Sequence, residues 1–276
     1  MNTVVDRGAM TDAVILGLNP IGLDELVQRA PLLTRLDRKY VLPTTDLPAV
    51  LAGLTGDVRA LEIDGRREFS YQSLYFDTPD LASYLATAHR RRRRFKLRIR
   101  SYVDSDQHFL EVKIRGQRGT TVKQRIPYAG DNIRHGESLG SEAKSYVDAV
   151  LSAAGIPVTR LHFDPVLITR YQRTTLFLPA TGSRVTVDRD LSWGLPGDAA
   201  VRSLDRTIVE TKSDSGVSEV DRLLRSLRHR PCSVSKYATG LAALRPDLPA
   251  NHWTPVLRRH FHTLTNSQTA TKAGPK

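Results

Sequence analysis

The amino-acid sequence predicts an α+β fold: an antiparallel β-barrel tunnel with a few peripheral helices. Two observations support this prediction. At least eight short runs are β-branched, aromatic or alternating, and only four segments have helical periodicity. Many strands with few helices favour an antiparallel sheet that closes on itself. The predicted strands lie at residues 36–42, 69–76, 94–102, 107–114, 120–128, 166–178, 183–188 and 207–212.

The predicted helices lie at residues 47–54, after Thr78, at 142–154 and at 218–228. The start signal is clearest in the second helix. Thr78 can cap it, Pro79 fills the first helical position and Asp80 meets the positive end of the helix dipole.

The composition combines a globular protein with an excess of positive charge. The 276 residues include 41 Lys and Arg against 29 Asp and Glu, a net charge of +12. This balance predicts a polyanionic partner, and charge alone leaves nucleic acid, an anionic membrane surface and a phosphate-rich small molecule open. Cys232 is the only cysteine, which excludes an intramolecular disulfide and a thiol-rich zinc site.

The chain organisation predicts one main domain. Neither an internal repeat nor a low-complexity linker divides the sequence. We expect a flexible N-terminus at 1–20, a domain at 21–262 and a flexible tail at 263–276. Since no signal peptide or long apolar run is evident, we expect a cytoplasmic protein, and a peripheral position at the inner face of the membrane stays open.

Basic residues recur at two-residue spacing along the predicted strands. Arg94, Lys96, Arg98 and Arg100 share one face of a strand, whose other face is apolar. Comparable charged stripes occur on four or five further strands. In a barrel such stripes can converge on one cationic lumen, which is costly unless a polyanion fills it. Phosphate chains suit Arg and Lys, and the interspersed acidic residues indicate divalent cations.

Nucleic acid is the main competing ligand. Binders of single strands combine basic residues with aromatic stacking residues, whereas the stripes contain one aromatic residue, Tyr171. We therefore expect no specific nucleic-acid partner. The run at 90–93 has two open interpretations, a solvated turn or a membrane-surface patch.

Seven motifs occur in the order of a known family. They are DRKY at 37–40, SLYFDTPD at 73–80, FKLRIR at 95–100, FLEVK at 109–113, RYQR at 170–173, IVETK at 208–212 and SVSKY at 233–237. Over residues 36–244 the chain resembles the vacuolar transporter chaperone (VTC) domain, a polyphosphate polymerase domain of the CYTH-like triphosphate tunnel metalloenzymes. The family usually has Glu where this chain has Asp37, which keeps the carboxylate on a shorter side chain, and we assign no metal contact to it.

The resemblance implies a basic tunnel in which the γ-phosphate of ATP is added to polyphosphate with Mn²⁺ or Mg²⁺. It implies catalytic roles for Lys39, Arg98, Arg100, Arg173 and Lys236. Phosphate or ATP would be bound by Lys96, Lys113, Lys123, Tyr171, Arg184, Lys212 and Ser235. The implied metal ligands are Glu210 and Glu111.

Several roles stay open at this stage. Glu111 either binds metal or neutralises neighbouring arginines, Ser235 either binds phosphate or only caps a helix, and Tyr171 either faces the tunnel or packs in the core. A triphosphatase of the same fold and a non-catalytic module that binds polyphosphate or inositol polyphosphate are the alternative functions. The expected partners are ATP and polyphosphate or pyrophosphate, with a membrane protein supplied by another chain as a further option. The oligomeric state is not predicted.

Overall fold

The computed structural model describes residues 7–30, 36–115, 121–129, 138–157, 162–198, 202–214 and 216–261. The helices in these ranges are α1 (Arg7–Gly17), α2 (Leu23–Arg29), α3 (Leu47–Ala52), α4 (Ala82–Ala88), α5 (Ser141–Ala153), α6 (Glu219–Ser226), α7 (Lys236–Leu244) and α8 (Thr254–His260). The strands are β1 (Asn19–Ile21), β2 (Leu36–Pro43), β3 (Arg59–Leu61), β4 (Phe69–Asp77), β5 (Phe95–Tyr102), β6 (Gln107–Arg115), β7 (Thr121–Pro127), β8 (Asp164–Leu178), β9 (Ser183–Gly194), β10 (Arg202–Ser203) and β11 (Arg206–Ser213).

Residue contacts divide the chain into two compact units. The first unit takes its described residues from Met1–Phe69, Tyr171–Leu191 and Leu204–Val234. The second takes them from Ser70–Arg170, Ser192–Ser203 and Ser235–Lys276.

In the first unit, hydrogen-bonded neighbours follow the order β2-β11-β9-β8. Val209 of β11 lies opposite Tyr40 of β2 and Val187 of β9, and all three are buried. This row packs against apolar residues of α3 and α6 in the core. The side chains of the neighbouring pair, Lys39 and Glu210, point to the opposite face of the sheet. Period-two alternation therefore separates an apolar face from a charged face.

Asp221 connects β2, β11 and α6 in this unit. Its side chain is fully buried and accepts hydrogen bonds from the Tyr40 hydroxyl at 2.8 Å and the Thr211 hydroxyl at 2.7 Å. It also accepts from the backbone N–H of Ser218, whose hydroxyl in turn accepts from the Asp221 N–H, so the two form a capping box. One carboxylate thus joins two strands to a helix.

The second unit contains the strand order β8-β4-β5-β6-β7. Leu97 lies opposite Val112, and Ile99 lies opposite Leu110. These four side chains are buried in a core that α5 covers with Val147 and other apolar residues. The opposite face carries charged side chains, which form the candidate site described below.

Asp77, at the end of β4, anchors two helices of the second unit. Its carboxylate accepts hydrogen bonds from the backbone N–H groups of Thr78, Ser83 and Tyr84 and from the hydroxyl of Tyr237 in α7. Burial raises the pKa of Asp77 against the lowering effect of these bonds. The four donors therefore compensate for a buried carboxyl group.

The predicted α+β class with a large antiparallel sheet is confirmed, and a structural strand occupies each of the eight predicted positions. Sequence reasoning did not predict three short strands: β1 and β3, which pair in parallel, and β10, which pairs with β9. Within the described ranges β2 pairs only with β11 and β7 only with β6, so ladder hydrogen bonds leave the sheet open. The single lumen stays a prediction.

The predicted start of the second helix is wrong by several residues. Residues 78–81 form a turn, closed by a hydrogen bond from Leu81 N–H to the Thr78 carbonyl, and α4 begins at Ala82. The Thr78 hydroxyl accepts from Ala82 N–H, while Asp77 takes the next two N–H groups. The oxygens that cap α4 thus come from Asp77 and Thr78, which precede the helix by four or five residues.

Helices are present at the other three predicted positions, and α1, α2, α7 and α8 are additional to the four read from periodicity. α1 lies within the segment predicted to be flexible at 1–20, and the tail at 263–276 lies outside the described residues. The domain bounds stay a prediction. The longest helix among the described residues, α5, has 13 residues, and none there has the length and apolarity needed to cross a membrane.

Asp221→Asn is expected to destabilise the protein by about 1–3 kcal/mol at pH 7, because it weakens hydrogen bonds to buried donors. Burial alone would raise the pKa of Asp221, but the bonds from Thr211, Tyr40 and Ser218 lower it. The stability that Asp221 contributes is therefore complete above its ordinary pKa of 3.8 and is lost as pH falls through the lower folded value.

Urea unfolding of wild type and variant between pH 7 and pH 3 measures this difference. Asp64→Asn, an exposed turn position, is the matched control. A stability difference that grows as the pH falls would contradict the role of the Asp221 carboxylate.

Candidate functional site

The polar face of β5, β6 and β7 in the second unit carries an excess of basic side chains. Lys96 lies directly opposite Lys113, which lies opposite Lys123, so three lysines form one row across three strands. Arg98 and Glu111 form the neighbouring row. The positions on this face hold seven basic residues and one acidic residue: Lys96, Arg98, Arg100, Lys113, Arg115, Lys123, Arg125 and Glu111. We call them the cationic face.

Glu111 is the centre of charge compensation on this face. Its side chain is fully buried and accepts from Arg98 Nε at 2.8 Å and Arg98 Nη2 at 2.5 Å. Its other oxygen lies 2.5 Å from Lys123 Nζ. Burial would raise the pKa of Glu111, but the charges of Arg98, Arg100 and Lys123 outweigh burial and lower it well below the usual range. Glu111 is therefore ionised and held by two bases.

Two lysines on the cationic face, Lys113 and Lys123, have lowered pKa values. The charge of Arg98, followed by burial and Arg100, lowers the pKa of Lys113 well below its ordinary value. Burial, only partly opposed by Glu111, lowers the pKa of Lys123 as well. An anion placed here would relieve this repulsion and favour the charged form of both amines.

Arg98 is held by an aromatic side chain in addition to Glu111. Its Nη1 donates to the Tyr75 hydroxyl at 3.0 Å, and its guanidinium lies 5.7 Å from the centre of that ring. Tyr75 in turn stacks on Tyr237 at 5.1 Å between ring centres, and Tyr237 donates to Asp77. A connected series of buried contacts thus fixes the guanidinium, and sequence reasoning missed its members Tyr75, Asp77 and Tyr237.

Ser235 and Lys236 lie at the start of α7, as the sequence predicts. The Ser235 hydroxyl accepts from Ala238 N–H at 3.2 Å, so it is an N-cap. It also accepts from Lys96 Nζ at 3.0 Å, which places the cap in contact with the cationic face. The first helical residue is Lys236, which is half-buried. The phosphate-binding role of Ser235 and the catalytic role of Lys236 stay predictions.

A second group of predicted residues lies on the charged face of the first unit. Glu210 is directly opposite Lys39, and its carboxylate lies 3.5 Å from Lys212 Nζ. Both members of this pair have 14% exposed side chains. Cys232 N–H donates to the Lys39 carbonyl, which fixes that backbone. Glu210 therefore lies beside two lysines: Lys39 on the neighbouring strand and Lys212 two residues further along β11.

Arg173 makes a bidentate ion pair on the same unit. Its Nε donates to Asp188 at 2.6 Å and its Nη2 at 2.9 Å, and the Asp188 side chain is fully buried. The guanidinium also lies 5.2 Å from the ring centre of the buried Tyr171. Asp188 lies inside β9 and orients Arg173; the sequence offered only its four-residue spacing from Arg184 as a signal.

Arg184 has a structural role in the first unit. Its Nη2 donates to the carbonyls of Leu26 at 3.2 Å and Ala30 at 2.8 Å, at the C-terminal end of α2. The Leu26 carbonyl also accepts from the Ala30 N–H, whereas the Ala30 carbonyl lies just past the helix end. The guanidinium therefore supplies a donor to acceptors at this terminus. The phosphate-binding role of Arg184 stays a prediction.

Two carboxylates were predicted to bind metal, and their surroundings differ. Glu111 is enclosed by Arg98 and Lys123, an arrangement that neutralises charge. Glu210 lies opposite Lys39, and its carboxylate is 3.5 Å from Lys212 Nζ, a longer distance than those around Glu111. No group of three or more His, Cys, Asp or Glu side chains suited to a metal occurs among the described residues. A single carboxylate still fits Mg²⁺ or Mn²⁺ that is bound mainly through substrate phosphates and water.

A comparison with protein families identifies the family of this chain. The VTC domain family matches residues 34–245. The chain belongs to this family. A search of curated protein sequences found no match to the VTC chain.

Solved structures give more distant similarities to this VTC domain. HpAC1 from Hippeastrum, described as an adenylyl cyclase candidate with a dominant triphosphatase activity, is 17% identical, with coverage of 79% of this chain and 100% of that chain and a TM-score of 0.46. An adenylate cyclase candidate from Vibrio parahaemolyticus is 11% identical over 70% of this chain and 86% of that one, with a TM-score of 0.36. The PH1819 protein from Pyrococcus horikoshii is 13% identical over 71% and 89%, with a TM-score of 0.37.

Glu111→Gln is expected to destabilise the protein by about 3 kcal/mol, because removing one partner of a buried ion pair leaves the other uncompensated. Tripolyphosphate should then raise the melting temperature of the variant by more than that of wild type, since it supplies the missing negative charge. Thermal unfolding with and without tripolyphosphate, in the absence of metal, measures both effects.

The matched control is Glu62→Gln, which removes a carboxylate paired with Arg67 at 2.7 Å in the first unit. A smaller tripolyphosphate effect in Glu111→Gln than in wild type would argue against the neutralising role.

Proposed function

We propose that this VTC domain is an enzyme that transfers the γ-phosphate of ATP to the end of a polyphosphate chain, with Mn²⁺ or Mg²⁺. The observation that carries the proposal is the cationic face, with seven bases against one carboxylate. Such a concentration of like charge is costly unless a polyanion binds to it. Membership of the VTC family supports a phosphate chain as that polyanion.

Phosphoryl transfer needs positioning and neutralisation of charge more than a side-chain nucleophile. Arg98 is suited to positioning, because Glu111 and Tyr75 fix its guanidinium before any ligand arrives. In the proposed reaction, a terminal oxygen of pyrophosphate or polyphosphate attacks the γ-phosphorus of ATP. The bond from that phosphorus to the β,γ-bridging oxygen breaks, and ADP leaves.

The chain's own residues divide this work. Arg98 and Arg100 bind phosphate oxygens through their planar donor groups, whereas Lys113 and Lys123 add compact charges that an anion stabilises. Arg173, oriented by Asp188, offers a second guanidinium in the first unit. Glu210 would hold the divalent cation, which would offset the negative charge of the phosphates.

Purified protein with ATP, Mn²⁺ and pyrophosphate is expected to produce ADP and a ladder of polyphosphates on a stained gel. The ladder is the decisive product, because transfer to a phosphate acceptor extends a chain whereas transfer to water does not. Release of orthophosphate without a ladder would identify a triphosphatase instead. Tight binding of polyphosphate without ADP or orthophosphate across several divalent metals would identify a binding module.

Glu210→Gln is expected to lower turnover at least about 100-fold, because the substitution removes the charge that would hold the cation. The fold and most of the affinity for ATP should persist. Steady-state rates over a range of Mn²⁺ concentrations, together with ATP binding, test this role. Glu219→Gln removes a partly exposed carboxylate on α6, which accepts from the Thr55 hydroxyl, and is the matched control. Unchanged activity in Glu210→Gln at all Mn²⁺ concentrations would remove this residue from the site.

A further inference from the structure

Three aromatic side chains continue the cationic face at one end. Tyr71 of β4 lies directly opposite Tyr102 of β5, two residues beyond Arg100. Phe109 of β6 lies opposite Arg100 itself. Directly opposite residues and residues two apart share a face of an antiparallel sheet. We call Tyr71, Tyr102 and Phe109 the aromatic platform.

The rings of the platform contact one another. The Tyr71 and Tyr102 ring centres are 5.0 Å apart with an interplanar angle of 56°. Those of Tyr102 and Phe109 are 5.7 Å apart with an angle of 84°. Tyr102 therefore connects the other two rings into one aromatic surface.

Arginine side chains lie on two of these rings. The Arg100 guanidinium carbon is 5.4 Å from the centre of Tyr71, and that of Arg125 is 4.7 Å from the centre of Phe109. Arg125 is exposed, so its guanidinium can move off the ring or remain as a second flat surface. Nucleobases stack on both aromatic rings and guanidinium planes.

Sheet packing alone does not account for this placement. Cross-strand aromatic pairs do stabilise sheets, but the apolar cluster that includes Leu74, Leu97 and Leu110 lies on the opposite face. All three platform residues are partly exposed. The count of one aromatic residue in the basic stripes missed Tyr71, which lies on a strand without basic residues, and Tyr102, which ends β5. Phe109, two residues before Glu111 on β6, was not counted.

We propose that the aromatic platform binds the nucleobase of the nucleoside triphosphate that donates phosphate. This inference rests on the proposed function, because it assigns a binding site to the base of the ATP that donates phosphate in that reaction. Tyr102 follows Arg100 by two residues, or about 7 Å along the strand. A base on the platform therefore directs its phosphates towards Arg100 and then Arg98. Because stacking uses the faces of the base, the site accepts different nucleobases and favours the larger purines.

Phe109→Leu tests the assignment, because leucine keeps an apolar side chain in β6 but removes the aromatic face. Binding of ATP and of inorganic tripolyphosphate is measured for each protein. Tripolyphosphate shares the phosphate chain and lacks a base. We expect Phe109→Leu to weaken ATP binding about tenfold, while tripolyphosphate binding changes by less than about twofold.

Two further variants make the test decisive. Tyr71→Leu removes the ring at the other end of the platform and should give the same selective loss. Tyr128→Leu replaces a partly buried aromatic residue that packs on the apolar core, and it should leave both affinities unchanged. Unaltered tripolyphosphate binding also shows that a variant is folded.

Equal weakening of both ligands, or of neither, in Phe109→Leu and Tyr71→Leu would overturn the platform assignment. That result differs from a failure of the proposed function, in which wild type would bind neither ligand.

Discussion

Repulsion among like charges on one face of a β-sheet is the constraint on which the second unit depends. Alternation along β5 and β6 puts Leu97, Ile99, Leu110 and Val112 into the core, and the same alternation puts the basic residues together on the other face. The apolar packing stabilises the strands without relieving the repulsion. The charged face therefore needs its own compensation, which within the described residues of β5, β6 and β7 comes from Glu111.

The Arg98 guanidinium is held in one orientation before any ligand binds. Arg98 is restrained on one side by Glu111 and on the other by Tyr75, whose ring stacks on Tyr237. Tyr237 is in turn fixed by Asp77. Because these groups are buried and hydrogen-bonded, the phosphate chain of the proposed function would meet a preorganised guanidinium and would lose little binding energy to ordering that side chain.

The sequence predicted the features that follow from local periodicity. The stripe containing Lys96, Arg98 and Arg100 has a period of two that only a strand can place on one face, and the strand is present. The contact between Asp77 and Tyr237 joins residues 160 positions apart and leaves no periodic signal. Arg173 and Asp188 likewise meet across strands. The helix expected directly after Thr78 begins at Ala82, after the turn closed between Leu81 N–H and the Thr78 carbonyl. The Thr78 hydroxyl and the Asp77 carboxylate accept from its first three N–H groups, a local arrangement that the cap signals in the sequence did not reveal.

Glu111 also sets how a ligand enters. With no anion bound, its carboxylate occupies Arg98 and Lys123, so it takes the place that a phosphate oxygen would take. In the proposed function, a phosphate chain would not meet bare cations but would compete with an ionised carboxylate for Arg98 and Lys123. Short anions with few charges would gain little from that exchange, whereas a long phosphate chain would also reach Lys96, Lys113 and Arg100. Compensation by a single carboxylate would then favour polyanions over single phosphate groups.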